Sequence, residues 1–174
     1  MPLPNLIGMR WLASLLGGQE APRLVGIFIA REAGVPMQAL DSVEAFAGRG
    51  LAGDRYAEDV GHWRLTDRCQ ITVISADQVA RAERRSGRVL QTGAHRRNLA
   101  IAGLSQDELR EARLRIGDVV LDWHRVRPPC GYLDQVAGRR MAKALGRHSG
   151  HCFRVITGGR LQVGDGVQLV RSPN

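Results

Sequence analysis

Leu114-Arg115-Ile116-Gly117-Asp118-Val119-Val120-Leu121 places two apolar runs on either side of a Gly-Asp pair. Glycine reaches positive φ without a steric penalty and aspartate bonds its own backbone, so the pair reads as a tight turn between two strands. Leu161-Gln162-Val163-Gly164-Asp165-Gly166-Val167-Gln168-Leu169 repeats the form near the end of the sequence and reads as a second strand-turn-strand unit. Ahead of it, Cys152-Phe153-Arg154-Val155-Ile156 predicts a strand closed by a hairpin turn at Gly158-Gly159.

The same short-strand pattern extends backwards. Leu24-Val25-Gly26-Ile27-Phe28-Ile29-Ala30 is an apolar run rich in β-formers, and the alternation from Pro36 to Phe46 is expected to pair with it. Cys69-Gln70-Ile71-Thr72-Val73-Ile74 predicts a strand running into Ser75-Ala76-Asp77-Gln78, a capping-box pattern that opens a helix through Arg85 with a stop at Gly87. Leu99 and Ile101 mark one face of a further strand. Ser105 to Glu108 is a second capping box, and Gly138 to Leu145 reads as a short helix. Many short strands, glycine turns and two or three small helices predict a mixed α/β, β-dominated barrel. Residues 1–23 are expected to form an N-terminal arm or short helix and residues 24–172 the barrel domain.

Composition narrows the setting. At 174 residues the chain is long enough to bury a core without staples, and its net charge of +8 points to an anionic partner. Lys143 is the only lysine, so the excess is carried by arginine, whose planar fork suits phosphate. No basic tail concentrates that charge. Cys69, Cys130 and Cys152 are few, odd in number and without a C-x-x-C, a pattern expected of a reducing cytoplasm. The stretch from Met1 to Glu20 is interrupted by glycine, proline and Arg10, which argues against a signal peptide, and nothing reaches the ~20 apolar residues of a membrane span.

Three stretches carry candidate chemistry. Val119 to His124 runs into Arg125-Val126-Arg127-Pro128-Pro129-Cys130-Gly131. Two prolines hold the cysteine on a stiff, non-helical segment, Gly131 removes bulk beside the sulfur, and Arg125 and Arg127 favour a thiolate or a neighbouring anion. Cys69 and Cys152, set among apolar strand residues, are expected to be inert core thiols. The glycine-rich Gly48-Arg49-Gly50-Leu51-Ala52-Gly53-Asp54-Arg55-Tyr56 lacks the Gly-Lys-Ser/Thr of a phosphate loop, yet its amides suit an anion. His95-Arg96-Arg97-Asn98 enters a strand with two guanidinium groups and an amide, again suited to an anionic, hydrogen-bonding ligand.

The order of these motifs resembles the MOSC domain, the module named for the C-terminal part of molybdenum cofactor sulfurases, and in particular its small standalone bacterial members. The resemblance runs from about Leu24 to Val170. It rests on Gly50-Leu51-Ala52-Gly53-Asp54-Arg55, Gln70 to Ile74, Arg96-Arg97-Asn98-Leu99, Ile116-Gly117-Asp118, Arg127-Pro128-Pro129-Cys130 and the closing Gly-Gly…Val-Gly-Asp. It implies a β-barrel that handles the molybdenum cofactor, either in molybdenum-dependent reduction, as of N-hydroxylated compounds, or in sulfur transfer. It nominates Cys130 as the catalytic thiol, a molybdenum ligand or persulfide carrier. Arg96 and Asn98 would hold the pterin and its phosphate, with Asp54 and Arg55 beside them and Arg127 adding charge. A soft thiolate matches a metal already held by dithiolene sulfur. The implied partners are a separate reductase or a cysteine desulfurase. Pyridoxal phosphate, which belongs to a fused desulfurase in larger relatives, is not expected here.

Two other readings compete. His148, His151 and Cys152 would have to form a zinc site, but their spacing matches no common finger. A non-catalytic basic barrel binding nucleic acid or another anionic partner fits the charge. Against it, Tyr56, Trp63, Trp123 and Tyr132 do not interleave with arginine along one strand pair.

Overall fold

The computed structural model describes residues 21–61 and 69–170. The expected arm over residues 1–23 lies outside them for its first twenty positions, as does Trp63. Strands β1 (Arg23–Ile29), β2 (Gln38–Leu40), β3 (Ser42–Phe46), β4 (Gly50–Leu51) and β5 (Ile71–Ser75) precede helix α1 (Ala76–Ser86). Then follow β6 (Leu99–Ala102), β7 (Arg113–Ile116), β8 (Val119–Val126), helices α2 (Gly131–Ala137) and α3 (Met141–Leu145) and a 3-10 turn at Gly146–His148. Strands β9 (His151–Thr157), β10 (Gly159–Gln162) and β11 (Val167–Val170) complete the described chain. Eight strands form one sheet in the order β11-β7-β8-β9-β5-β6-β1-β2, and β10-β3-β4 form a second. Among the described residues no helix is long and apolar enough to cross a membrane.

The mixed, β-dominated expectation holds, but the large sheet does not close into a barrel. The reason lies on the free edge of β1. Its first half meets the β10–β11 connection through one isolated bridge, Arg23 to Gly166, with Leu24 N donating to Asp165 O and Gly164 N donating to Leu24 O. Its second half is already taken by β2, in the register Ile27 to Leu40 and Ile29 to Gln38. The half that β2 leaves is met by the residues before β11 and not by β11 itself, which pairs with β7.

The two Gly-Asp units, alike in sequence, fold differently. Gly117, at φ 58°, and Asp118 join β7 to β8 in a true hairpin with Ile116 opposite Val119. In the second unit β10 pairs with β3 and β11 with β7, so its halves lie in different sheets. Within the connection Asp165 N donates to Gln162 O, while Val163 N donates to Asp41 O, and Val167 N at the start of β11 donates to Pro22 O. Gly158-Gly159 is likewise a corner between sheets and not a hairpin turn, since β10 does not return along β9. A Cβ at Gly158 would stand 2.6 Å from the Ala45 carbonyl oxygen, which accounts for the glycine.

Among the described residues the only parallel pair is β5 with β6, joined by α1 as a crossover. Both strands are buried on both faces. Ile71, Val73, Leu99 and Ile101 enter one core with Leu24, Ile27 and Phe153, while Ile74 and Ala100 enter a second with Phe28, Val79, Leu90 and Leu145. Side chains alternate along a strand, so a continuous apolar run here serves two cores rather than one.

Capping follows the sequence only in part. Ser75 Oγ accepts from Gln78 N, and Gly87 ends α1 at φ 67° with its N–H on Glu83 O. Gln78 does not reach back. Its amide donates to Leu145 O, tying α1 to α3, and Gln106 Oε1 accepts from Ser75 N in its stead. The second box, Ser105 with Glu108, is reciprocal, yet it opens only a turn. The helical stretch expected over Gly138 to Leu145 begins at Met141, and α2, directly after Cys130, has no counterpart among the expected elements.

Candidate functional site

Four segments meet at the end of the large sheet beside α2. The loop after β4 brings Arg55 and Tyr56, and Arg55 N is held on Ala30 O just past β1. The approach to β6 brings Arg96 and Arg97. The exit of β8 brings Arg127, whose N–H bonds Gly150 O and so prolongs the β8–β9 pairing. Cys130 follows as the residue capping α2. Together with Tyr132, these side chains line an open cleft.

Cys130 has extended backbone, φ −138° and ψ 163°, and its side chain makes no capping hydrogen bond. The two prolines thus do what the sequence implies, holding the thiol on a non-helical segment. Gly131 is less essential than expected, since a Cβ there would meet nothing within 4 Å.

Arg96 and Arg97 are neighbours in sequence and would point to opposite faces of a regular strand. Both nevertheless line the cleft, because Arg96 sits at φ 62°, in the left-handed region. A non-glycine residue there carries a cost of order 1 kcal/mol or more, sustained only when the surroundings over-determine it. The surroundings do. Arg96 Nη1 donates to Val35 O, and Arg97 Nε donates to Ser149 O at 2.5 Å. Ser149 Oγ in turn donates to the Arg127 carbonyl at 2.5 Å. The resemblance assigns no role to Arg97, although the polar run before β6 already marks both arginines as suited to an anion.

Electrostatics in the cleft favour an anion. Burial pushes the Arg97 guanidinium below its ordinary value, and burial followed by repulsion from Arg55 does the same to Arg96. Both stay charged, since arginine does not give up its proton in proteins. Among the described residues neither has a carboxylate in ion-pair contact, so positive charge is held here partly desolvated and without full compensation. For Arg55 burial acts downward too, but Tyr56 and Asp54 outweigh it. Burial pushes the Tyr56 phenol up, so it stays protonated at neutral pH; Arg127 Nη2 approaches its oxygen at 3.5 Å.

Asp54 and Asn98 do not line the cleft. Asp54 is fully buried, with Oδ1 accepting from Ala30 N and Arg55 Nη1 at 3.0 Å each and Oδ2 accepting from Tyr56 N. It orients the arginine. Asn98 is also fully buried: its Oδ1 accepts from Thr72 N and Thr72 Oγ1, and its Nδ2 donates to Phe28 O. That amide stitches β1, β5 and β6 together behind the wall from which Arg96 and Arg97 project.

The zinc alternative finds no ligand set. Trp123 Nε1 donates to His151 Nδ1, and His151 Nε2 lies 2.9 Å from Gln106 O, so both ring nitrogens are engaged. Among the described residues no three His, Cys, Asp or Glu side chains converge. Lys143 is exposed on α3, away from the cleft lining.

The MOSC domain model matches residues 60–168, well over half of the sequence, and the chain belongs to that family. The family is associated with binding of the molybdenum cofactor. The matched segment holds Arg96, Arg97, Arg127 and Cys130, while the Asp54-Arg55 loop precedes it. Among solved structures the chain is similar to the YUAD protein of Bacillus subtilis, with TM-score 0.67, 19% identity and coverage of 85% of this chain and 94% of that one. It is also similar to YiiM of Geobacillus stearothermophilus, with TM-score 0.64, 19% identity and coverage of 86% and 75%. For YiiM of Escherichia coli the TM-score is 0.62, the identity 17% and the coverage 87% and 71%. At these identities the likeness is one of fold. No curated protein matches the chain.

Proposed function

We propose that this protein binds the molybdenum cofactor in the arginine-lined cleft, with Cys130 as the sulfur that meets the metal. The observation that carries the reading is the convergence of Cys130 with Arg55, Arg96, Arg97 and Arg127 on one cleft. The donor set suits the group. Guanidinium forks match its phosphate, and a thiol free of capping bonds offers a soft ligand. Arg96 and Arg55 take the phosphate and pterin edge, Arg127 adds charge beside the sulfur, and the Tyr56 hydroxyl is a further donor. Asp54 and Asn98 act as positioning residues, which departs from the cofactor-binding roles that the family resemblance implies for them. When bound, the cofactor would supply oxygen-atom and electron-transfer chemistry, and the protein supplies position and charge.

Two uses of the site follow from the same chemistry: molybdenum-dependent reduction, as of N-hydroxylated compounds with electrons from a separate reductase, and carriage of a persulfide on Cys130 from a cysteine desulfurase. One experiment separates them. Protein purified without oxygen from a cofactor-replete host is assayed for molybdenum, pterin and sulfane sulfur, alongside Cys130→Ser. Retained molybdenum with a metal–sulfur distance that changes in Cys130→Ser supports the ligand role. Sulfane sulfur on Cys130 without metal supports carriage. A folded protein that holds neither, and takes up neither on reconstitution, overturns the proposal.

A further inference from the structure

The cationic surplus is spread along the sequence but not over the fold. Residues 76–88 and 131–147 hold eight cationic side chains against three carboxylates, a net +5 of the +8 carried by the whole chain. Helix α3 packs on both α1 and α2, so these distant stretches become one face. Arg81, Arg84 and Arg85 recur at the spacing that aligns them on one side of α1, and all three are exposed. Arg140 at the start of α3 and Lys143 within it are exposed as well. Arg88 joins the two groups: its Nη1 donates to Ala137 O at the end of α2, at 3.0 Å, and a Cβ at Gly138 would collide with its guanidinium.

Among the described residues none of these six cations is in ion-pair contact with a carboxylate. Glu83 instead accepts from Leu90 N and Gln91 N, and Asp134 from Ala142 N. Helix stability accounts for only part of the face. Arg84 and Arg85, in the last turn of α1, suit the negative end of its dipole. Arg140 stands before the first turn of α3, where a dipole favours an anion, and at φ 67°, which costs an arginine about 1 kcal/mol.

We propose that the α1–α3 face docks an acidic protein, a flavoprotein that brings electrons to the cleft. Docking itself needs only the face; the donor role rests on the reading of the cleft as a cofactor site.

Two features favour a protein over a nucleic acid. Val89, at 71% the most exposed large apolar side chain among the described residues, follows Arg88 and sets an apolar spot in the cationic face. Protein interfaces combine an apolar centre with a polar rim and are enriched in arginine, whereas a phosphate backbone has no use for an exposed valine. Helices α1 and α3 also carry no tyrosine or tryptophan on which a base could stack. Position favours the donor role. Tyr132, Leu133 and Val136 of α2 line the cleft, so a partner seated on α3 and the end of α2 lies across one helix from it. The donor's flavin hydroquinone loses two electrons and two protons, and an N-hydroxylated compound takes both, R–NHOH giving R–NH2 and water.

The test uses the full chain as purified, with oxidised flavodoxin, an acidic flavoprotein, as the probe and titration calorimetry as the readout. A complex should form at about 50 mM salt and weaken about tenfold by about 300 mM. Arg84→Glu combined with Lys143→Glu should weaken it at least about tenfold and Val89→Ser about threefold. Arg160→Glu, on β10 in the other sheet, should weaken it less than about twofold. All four positions are exposed, and circular dichroism checks that each variant keeps the fold. No complex, or one that Arg160→Glu weakens as much as the double variant, would overturn the face. So would a DNA duplex of about 20 base pairs, or phosphatidylglycerol vesicles, bound more tightly than flavodoxin through the same residues. The same samples are assayed for molybdenum after purification from a cofactor-replete host. Docking with no molybdenum held would overturn the cleft reading and the donor role but leave the face; molybdenum held without docking would overturn the face alone.

Discussion

Arg97 Nε donates to the Ser149 carbonyl at 2.5 Å, and through the Ser149 hydroxyl, bonded to Arg127 O, this single serine ties together the two walls of the cleft. Ser149 is fully buried, so its hydroxyl cannot be replaced by water without rearrangement. Ser149→Ala keeps the carbonyl that holds Arg97 Nε but removes the hydroxyl contacts to Arg127 O and Arg97 Nη2, so it should cost about 1–2 kcal/mol in urea unfolding and weaken binding of phosphate or molybdate. A variant of unchanged anion affinity would show that the two arginines are positioned independently of the Ser149 hydroxyl.

Arg96 offers a way to separate binding from folding. Arg96→Ala keeps the left-handed backbone and loses the bond to Val35, so it should destabilise by about 1 kcal/mol. Arg96→Gly loses the same bond but tolerates φ 62°, and should be more stable than Arg96→Ala by about 1 kcal/mol. Both should lose cofactor or oxyanion retention to a similar degree. If stability falls while retention per folded molecule is unchanged, Arg96 serves the fold alone.

Asn98 should behave in the opposite way. Asn98→Ala leaves Thr72 N and Phe28 O without their partners in the buried sheet, and should cost about 3 kcal/mol by chemical denaturation. Any loss of cofactor should track the unfolded fraction. Anion binding lost at full stability would instead restore a direct contact.

Stability should fall with acid because of His95. The ring is fully buried, with Nδ1 accepting from Arg97 N and Nε2 unpartnered, and burial, with Arg97 adding to it, lowers its pKa to about 3. The unfolded chain therefore binds the proton more tightly than the folded one. The resulting stability is present above about pH 6.5 and is lost as pH falls toward 3, by about 1.4 kcal/mol per unit. His124 and His151 are also lowered chiefly by burial and add to the slope. The check is urea unfolding between pH 4.5 and 7.5 for the wild type and His95→Gln. Equal slopes in the two would exclude His95.

Cys130 should be alkylated faster than Cys69 and Cys152 in the reduced protein, because it is half-buried at the cleft whereas the others are enclosed. Cys130→Ser should keep the fold within about 1 kcal/mol. Protection of Cys130 by molybdate and pterin, read by mass spectrometry, would tie the thiol to the ligand.

What could be read ahead of the structure was whatever local chemistry settles. The Gly117-Asp118 hairpin, the Ser75 cap, the Gly87 stop and the extended Cys130 segment follow from residues within a few positions of each other. The partners of β10 and β11 do not, because Val-Gly-Asp reads the same whether its flanking strands pair together or with β3 and β7. Barrel closure failed for the same reason, being decided by β2 occupying the far half of β1. At the site, arginine and cysteine were nominated by type, and four of the six nominated residues line the cleft. Asp54 and Asn98 do not, since a polar side chain in a motif reads alike whether it meets a ligand or the backbone behind it.

The lone bridge between Arg23 and Gly166 also has a bearing on motion. Where β1 meets the β10–β11 connection, the molecule is sewn by a handful of backbone bonds, whereas the strands on either side are joined by ladders. A sheet fastened so sparingly at one line can gape there without melting, and the amides of Leu24, Gly164 and Val167 should then exchange with solvent deuterium together. That exchange should run well ahead of β5 and β6, whose protons wait for the whole chain to unfold. The breathing would leave the arginine cleft, anchored on Ser149 and Asn98, undisturbed.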